Sequence, residues 1–216
     1  MMHAEADTGD VLAEHFARSG VAIIEYALSE GDLSTMDELF PVMPPRAAGA
    51  RAAQFPPRAR DWLAAHPGLL EIASRLAGGR VQMTRLQAFD KSAQANWFVP
   101  WHQDRAEDGS ERVIGYLENT VALRIHLDAC GDDNGPLEVI AGTHDKGRLD
   151  AGAIANTIAR ATPALCLTER GDVVAMRPLL LHRLQRARKP AARRVIHIEY
   201  TRSETIEALQ RAARAS

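Results

Sequence analysis

The sequence has few cysteines, and the two it has lie far apart. Cys130 and Cys166 form no CxxC pair, whereas closely spaced cysteines build structural zinc sites and redox motifs. A disulfide framework needs more cysteines than this. We therefore expect neither a disulfide scaffold nor a structural zinc site, and we interpret both cysteines as small buried or half-buried residues.

The chain also lacks an excess of charge of one sign and any long apolar run. Its 26 Lys and Arg residues against 28 Asp and Glu give a formal net charge of −2, which favours neither a nucleic-acid surface nor an anionic membrane. No stretch approaches the roughly 18 apolar residues of a membrane span. Residues 1–7 show no basic or apolar segment of a secretory signal. We expect a cytoplasmic protein with a small-molecule substrate, no nucleic-acid or membrane partner, and an oligomeric state that the sequence leaves open.

What the sequence does contain is enough apolar material for one ordinary core. It has 216 residues, of which 46% are hydrophobic and 25% charged, and this fits a single domain over residues 1–216. Residues 1–80 read as a mostly helical scaffold that includes one strand candidate, Val21–Ile24. Residues 41–57 hold five prolines and are expected to be irregular. Residues 203–216 predict a closing helix.

Between residues 81 and 202 the hydrophobic period changes to two, which is typical of β-strands. Turn sequences such as Asp132-Asp133-Asn134-Gly135-Pro136 separate the strands. The fold class is therefore mainly β with flanking helices (α+β), built around a sandwich or barrel. The predicted strands are residues 81–89, 120–128, 137–140, 164–167, 172–176, 179–184 and 193–201.

Two of these strands alternate apolar and polar positions. The polar positions are Arg124, His126 and Asp128 in one strand and Arg193, His197 and Glu199 in the other. If the apolar faces pack on the helices, the polar faces line the inside of a barrel. An ordinary half-buried sheet would instead turn its polar face to solvent, and the sequence leaves both arrangements open.

His102 and Asp104 place an imidazole and a carboxylate two residues apart. On an extended backbone both project the same way, with Cα atoms roughly 6.5–7 Å apart, and a second histidine would complete the facial triad associated with non-haem Fe(II) oxygenases. His182 ends a strongly apolar strand. Taken alone, the first pair fits a polar loop and His182 fits a core histidine. Arg193 favours the metal-site interpretation over the polar loop and the core histidine, because a buried guanidinium is costly unless it meets an anion such as a carboxylate.

Together these pieces resemble the phytanoyl-CoA dioxygenase family of Fe(II)/2-oxoglutarate-dependent oxygenases, over nearly the whole chain. The resemblance rests on residues 16–24, on Pro100-Trp101-His102-Gln103-Asp104, on residues 127–144 around Asn134-Gly135-Pro136, and on Gly171-Asp172 followed by His182 and Arg193-Arg194-Val195-Ile196. The chain departs from the family's pattern at Ala141, Thr143 and residues 183–186. The resemblance implies a double-stranded β-helix (jelly-roll, cupin-like) core.

The resemblance also implies the chemistry: Fe(II), 2-oxoglutarate as co-substrate and O₂, with hydroxylation of an unactivated C–H bond and release of succinate and CO₂. Carried over by position, it makes His102, Asp104 and His182 the iron ligands and Arg193 the partner of the distal carboxylate of 2-oxoglutarate. Arg194 is the rival, since one step along a strand reverses the face. Halogenating relatives have a small residue in place of Asp104, so its carboxylate favours hydroxylation, although desaturation or ring closure would use the same ligands.

Polar residues on the predicted inner faces supply the remaining candidates. We assign Gln87 to the co-substrate and Arg85, Arg124 and His126 to a substrate that the arginines suggest is acidic or acyl-bearing. Arg124 could equally be the counter-ion of an acidic neighbour, Asp128 or Glu138.

The remaining histidines are not expected to bind the metal. His144 is expected at a turn, and His3, His15 and His66 at the surface.

Two other functions fit the same residues. One is a non-catalytic metal-binding jelly-roll module. A zinc hydrolase is the third reading, although the sequence lacks a His-Glu-x-x-His motif with its general base.

Overall fold

The computed structural model describes residues 8–43, 49–51, 54–106 and 115–215. Its helices are α1 (Thr8–Ser19), α2 (Glu30–Leu39), α3 (Pro57–Ala65), α4 (Pro67–Ala77), α5 (Ala151–Arg160) and α6 (Ser203–Ala215). Its strands are β1 (Val21–Ile24), β2 (Gly49–Arg51), β3 (Val81–Lys91), β4 (Val99–His102), β5 (Thr120–His126), β6 (Leu137–Ile140), β7 (Ala164–Cys166), β8 (Val173–Met176), β9 (Leu181–Leu184) and β10 (Arg193–Arg202). None of the described helices combines the length and apolar composition needed to cross a membrane.

The strands form two antiparallel sheets that enclose an interior. The larger sheet has the order β1-β8-β5-β10-β3-β2 and the smaller one the order β4-β9-β6-β7. Apolar side chains of both sheets meet between them, for example Val174 and Met176 from the larger sheet with Leu137 and Val139 from the smaller. The mainly β fold with flanking helices is therefore as the sequence predicted.

The outer face of the larger sheet carries the main apolar core. Leu123 and Ile125 of β5 and Ile196 and Ile198 of β10 are fully buried against helices α1 to α4, which contribute residues such as Phe16, Leu33, Leu63 and Leu69. Removing this apolar surface from water is the main force that holds the helices on the sheet.

Because side chains alternate along a strand, the polar positions of β5 and β10 point into the interior between the sheets. Five of the six predicted positions are at least nine-tenths buried: Arg124 is 6% exposed, His126 3%, Arg193 2%, His197 3% and Glu199 2%. Asp128 was wrongly placed with them, because β5 ends at His126 and the Asp128 carboxylate binds the outward-facing Arg194 instead. The sequence left open whether these polar faces point to solvent or into a barrel, and the structure shows that they line the interior between the sheets.

Several local expectations differ from the structure. β3 continues to Lys91, two residues beyond the prediction, and β2 forms within the segment expected to be irregular, of which residues 44–48 and 52–53 lie outside the described residues. Helix α3 lies within the segment predicted to be mostly helical, although no local pattern singled it out, and Pro57 at its first turn is a common helix start. Helix α5 was missed, although Asp150 is a common helix start and its side chain accepts a hydrogen bond from the Ala153 amide at 2.8 Å. The expectation for residues 1–7 falls outside the described residues too.

His66 is buried, so its predicted place at the surface was wrong. Its Nδ1 accepts a hydrogen bond from the Leu69 amide at 3.3 Å and thereby caps α4, while its Nε2 lies 3.2 Å from the Asp32 carboxylate. The bond from Leu69 is local, whereas the contact with Asp32 depends on how the start of α4 packs beside α2. The position directly before Pro67 at the first helical turn was the available signal.

Candidate metal centre

Three side chains converge at the edge of the smaller sheet. Residues His102 of β4 and His182 of β9 are paired across the two strands, and Asp104 follows two positions after His102. The Asp104 Oδ1 lies 3.7 Å from the Nε2 atom of each histidine, and the imidazole centroids are 4.1 Å apart. One donor atom from each residue lies within 4.8 Å of the others, so a single cation between them would reach all three.

The backbone fixes which imidazole nitrogen each histidine presents. His102 Nδ1 lies 2.9 Å from the carbonyl oxygen of Pro100, and His182 Nδ1 lies 2.9 Å from that of Leu180. A carbonyl can only accept, so both Nδ1 atoms carry the proton and both Nε2 atoms keep a lone pair directed at the cluster. Such a bond on the outer nitrogen is what orients a metal-binding histidine.

Gln103 and the Asp104 backbone form hydrogen bonds with groups outside the cluster. Gln103 is buried and points away: its Nε2 donates to the carbonyls of Leu179 (2.7 Å) and Gly147 (2.8 Å), and its Oε1 accepts from the Leu149 amide at 2.8 Å. The Asp104 amide donates to the Pro178 carbonyl at 2.8 Å. These hydrogen bonds join the segment from His102 to Asp104 to the chain just before β9 and to the loop before α5.

Thr143 supports the other side of the cluster. Its hydroxyl donates to the Ile140 carbonyl at 2.7 Å and accepts from the Leu181 amide at 2.8 Å, next to His182. The turn that holds Thr143 thus fixes the start of β9. His144 follows in a 3₁₀ turn, as expected, and its Nε2 lies 3.0 Å from the Ala17 carbonyl and 3.0 Å from Asp145, outside the cluster.

The local electrostatics favour the metal-binding forms of these residues. Burial lowers the pKa of His182 to about 4, so its imidazole is neutral at neutral pH. Burial acts to raise the pKa of Asp104, but interactions with His182, His197, His102 and Arg85 outweigh it and hold that pKa below its ordinary value. Two imidazole nitrogens and one carboxylate, without a thiolate, make a donor set that suits Fe(II).

Arg193 and Arg194 have opposite surroundings. Arg193 points into the interior, where its Nη1 donates to the Gly135 carbonyl at 2.7 Å and its Nε has no hydrogen-bond partner among the described residues. Arg194 points outward and bonds the Asp128 carboxylate at 2.7 Å and 2.9 Å and Asp37 at 2.8 Å. Arg193 is therefore the one of the pair with a donor open to an internal ligand.

The Arg194 contacts give a stability prediction. Burial acts to raise the pKa of Asp128, but the hydrogen bonds from Arg194 hold it below its usual range. Arg194→Met should therefore destabilise the protein at pH 7 by about 2 kcal/mol, a value discounted for partial exposure. A carboxyl with a depressed folded-state pKa stabilises above its unfolded pKa of about 4 and loses that contribution as pH falls.

Urea denaturation of both proteins at pH 7 and near pH 3 measures this effect. The difference in the free energy of unfolding should shrink at the lower pH. An equal difference at both values would contradict the assigned role of Asp128.

Arg124 and His126 lie on the inner face of β5, and among the described residues neither forms an ion pair with a carboxylate. The Arg124 guanidinium lies 5.3 Å from the Phe89 ring, and its Nη1 is 3.4 Å from His197 Nδ1. Its two proposed counter-ions are occupied elsewhere, since Asp128 pairs with Arg194 and Glu138 pairs with Arg183 at 2.7 Å. That alternative for Arg124 was therefore wrong.

His126 is held neutral by its burial. Its Nδ1 lies 2.9 Å from the Thr168 hydroxyl, and its Nε2 has no partner among the described residues. Burial lowers its pKa to about 3, with Arg124 and Arg193 adding to the effect. Unsatisfied buried donors and acceptors are costly, so the Nε atoms of Arg124 and Arg193 and the Nε2 of His126 indicate an interior built to receive a polar ligand.

Arg85 and Gln87 lie on the inner face of β3. Arg85 Nη1 binds the buried Glu199 carboxylate at 2.9 Å, and Gln87 is the cross-strand partner of His197. Sequence reasoning gave no role to Lys91, which is fully buried on the same face. Continuing the period-two pattern from Arg85 through Gln87 and Phe89 would have reached it.

Comparison with known proteins shows which family the sequence matches. Residues 16–195 match the family described as phytanoyl-CoA dioxygenase (PhyH). An L-proline trans-4-hydroxylase from Streptomyces griseoviridis is 38% identical over 81 residues, which are 38% of this chain and 30% of that enzyme. The matched part therefore spans less than a third of that relative.

Solved structures share the fold over most of the chain. AviO1 from Streptomyces viridochromogenes Tue57 has a TM-score of 0.73 and 23% identity, covering 93% of this chain and 97% of that one. EctD from S. alaskensis with 2-oxoglutarate and 5-hydroxyectoine has a TM-score of 0.75 and 21% identity, covering 95% and 80%. These likenesses confirm the predicted double-stranded β-helix core.

Proposed function

Because the chain belongs to the phytanoyl-CoA dioxygenase family, we propose that it is an Fe(II)- and 2-oxoglutarate-dependent dioxygenase that hydroxylates an unactivated C–H bond of a small molecule. The observation that carries this proposal is the cluster of His102, Asp104 and His182, whose donor atoms lie within 4.8 Å of one another. Both histidines direct an unprotonated nitrogen at the same point, and the carboxylate beside them is ionised.

The residues present fit both the metal and the co-substrate. His102, Asp104 and His182 would hold Fe(II), which leaves positions open for other ligands. Arg193 would bind the distal carboxylate of 2-oxoglutarate, since its Nε is buried without a partner. Arg124 interacts electrostatically with both Asp104 and Arg193, which supports a role for it between the metal ligands and the proposed carboxylate anchor.

The bound iron and 2-oxoglutarate supply the oxidising chemistry, in which R–H, 2-oxoglutarate and O₂ become R–OH, succinate and CO₂. The protein's own part is to bind and orient. The Pro100 and Leu180 carbonyls orient the two imidazoles, and the hydrogen bonds of Gln103 hold the chain between the ligands.

For the substrate we propose a small carboxylate-bearing molecule. Arg124 is buried and has no carboxylate within ion-pair distance among the described residues. Arg85 forms an ion pair with Glu199, and this pair would favour a substrate that carries both a positive and a negative charge. The relative acting on L-proline makes free amino acids the first class to test. The cytoplasm is the proposed compartment, since both cysteines are free thiols.

A substrate screen read by succinate release tests the proposal. Purified protein is supplied with Fe(II), 2-oxoglutarate and O₂, and candidate amino acids and other small acids are added one at a time. At least one should raise succinate formation with an equal amount of hydroxylated product. Tight zinc binding with hydrolytic activity and no 2-oxoglutarate consumption would contradict it.

A further inference from the structure

The inner face of β10 carries a buried carboxylate that the metal cluster does not include. Glu199 lies two residues beyond His197 and therefore projects to the same face of the strand. Its Oε1 accepts a hydrogen bond from Arg85 Nη1 at 2.9 Å and lies 3.4 Å from His197 Nε2. Its Oε2 has no hydrogen-bond partner among the described residues. One oxygen of this carboxylate is thus held by the protein, and the other can accept from a ligand.

The tautomer of His197 shows how the carboxylate is connected to a buried guanidinium. Arg124 Nη1 lies 3.4 Å from His197 Nδ1, and a guanidinium can only donate. Nδ1 therefore carries the lone pair, and Nε2 carries the proton that points at Glu199. Arg124 and Glu199 are consequently one imidazole ring apart on the inner face of the larger sheet.

These two groups have opposite charges, and each keeps an unused hydrogen-bonding atom. The Nε of Arg124 is buried without a partner among the described residues, and the second oxygen of Glu199 accepts no hydrogen bond from them. Buried charges that lack hydrogen-bond partners are costly. A ligand that brings a carboxylate to Arg124 and a donor to Glu199 would satisfy both.

The placement of Glu199 supports a ligand position near the metal cluster. Asp104 interacts electrostatically with both His197 and Arg85, and Glu199 is bound between these two residues. On β5 the residue directly opposite Glu199 is Ala122, whose methyl side chain takes up little of the space beside the carboxylate.

We infer that Glu199 binds the ammonium group of a free amino acid whose carboxylate binds Arg124, so that these two residues select the substrate by its two charges. This inference rests on the proposed function and names the residue that holds each end of the substrate. In an α-amino acid both charged groups are attached to one carbon, which suits two partners that are one imidazole ring apart. An ammonium group supplies the donor for Glu199, and a carboxylate accepts from more than one guanidinium nitrogen. Arg85 and His197 are positioning residues that hold Glu199.

Ligands that differ in one charged group test this assignment. The common amino acids are first screened for succinate release with Fe(II), 2-oxoglutarate and O₂. Each active amino acid is then compared with an analogue without the basic nitrogen, such as tetrahydrofuran-2-carboxylate for L-proline or 4-methylpentanoate for L-leucine. The unaltered protein should favour the amino acid by about 100-fold or more in kcat/KM. Glu199→Gln should reduce this preference by about 10-fold or more.

A crossed comparison separates recognition of charge from damage to the fold. Arg124→Met should instead reduce the preference for the amino acid over the amine that lacks its carboxylate, such as pyrrolidine for L-proline. A structural defect would lower the turnover of all these ligands together and leave both ratios unchanged. Glu138→Gln is the matched control, because Glu138 is also buried and paired with an arginine, Arg183 at 2.7 Å, but lies on the strand face opposite to the interior residue Val139.

The outcomes that would overturn the inference are distinct from failure of the proposed function. An unchanged ratio in either variant, equal turnover of the nitrogen-free analogues, or a screen in which no amino acid stimulates succinate release would each overturn it. The proposed function stands in these cases as long as the Fe(II) protein still converts 2-oxoglutarate to succinate. If it forms no succinate from 2-oxoglutarate under any of these conditions, the proposed function itself fails.

Discussion

Asp104→Ala should lower the affinity for Fe(II) by more than 100-fold and abolish 2-oxoglutarate-dependent succinate formation. Losing a group that only supports a metal ligand costs roughly 10- to 100-fold in affinity, and Asp104 supplies the only negative charge of the cluster. Its carboxylate lies 3.7 Å from the Nε2 atom of both histidines. Without it, two neutral imidazoles face a divalent cation.

Equilibrium dialysis of Fe(II) under anaerobic conditions measures this loss. Asp132→Ala is the matched control, because Asp132 is an exposed carboxylate paired with Arg188 at the surface. The folded state should persist in both variants, as judged by their circular dichroism. Unchanged iron affinity in Asp104→Ala would remove this residue from the metal site.

Arg193→Met should raise the Kd of 2-oxoglutarate by about 100-fold or more. Truncating one partner of a buried, hydrogen-bonded charge pair costs on the order of 2–5 kcal/mol, and every 1.4 kcal/mol is tenfold in affinity. Methionine keeps much of the side-chain length but has no donor. The loss should therefore appear in co-substrate binding and leave Fe(II) affinity nearly unchanged.

Arg194→Met is the natural control for Arg193→Met, since it removes the same group one position along the strand. Its guanidinium is already bound to Asp128 and Asp37, so the Kd of 2-oxoglutarate should change less than about threefold even though the protein unfolds more readily. The reverse pattern, with the loss of binding in Arg194→Met, would assign the anchor to the other arginine.

Sequence reasoning worked where a local pattern was sufficient. The two-residue spacing of His102 and Asp104 on an extended backbone predicts a shared face, and the structure brings both to His182. The alternation in β5 and β10 predicted two distinct faces, although only the packed helices decide which face points inward.

The side-chain contacts that the sequence did not predict depend on pairing between strands that are distant in the chain. Lys91 meets Arg193, and Arg85 meets Glu199, only because β3 and β10 pair in one particular register, which no local pattern fixes. The outward network of Arg194 likewise joins α2 and the end of β5. The same dependence on packing explains why the counter-ions expected for Arg124 were wrong.

The most direct measurement is an anaerobic titration of the Fe(II)-loaded protein with 2-oxoglutarate, followed by visible absorption. If His102, Asp104 and His182 hold iron and Arg193 anchors the co-substrate, a weak metal-to-ligand absorption should appear and saturate at one 2-oxoglutarate per chain. It should be absent from Asp104→Ala. A protein that binds Fe(II) at this cluster yet shows no such band at saturating 2-oxoglutarate would contradict the account.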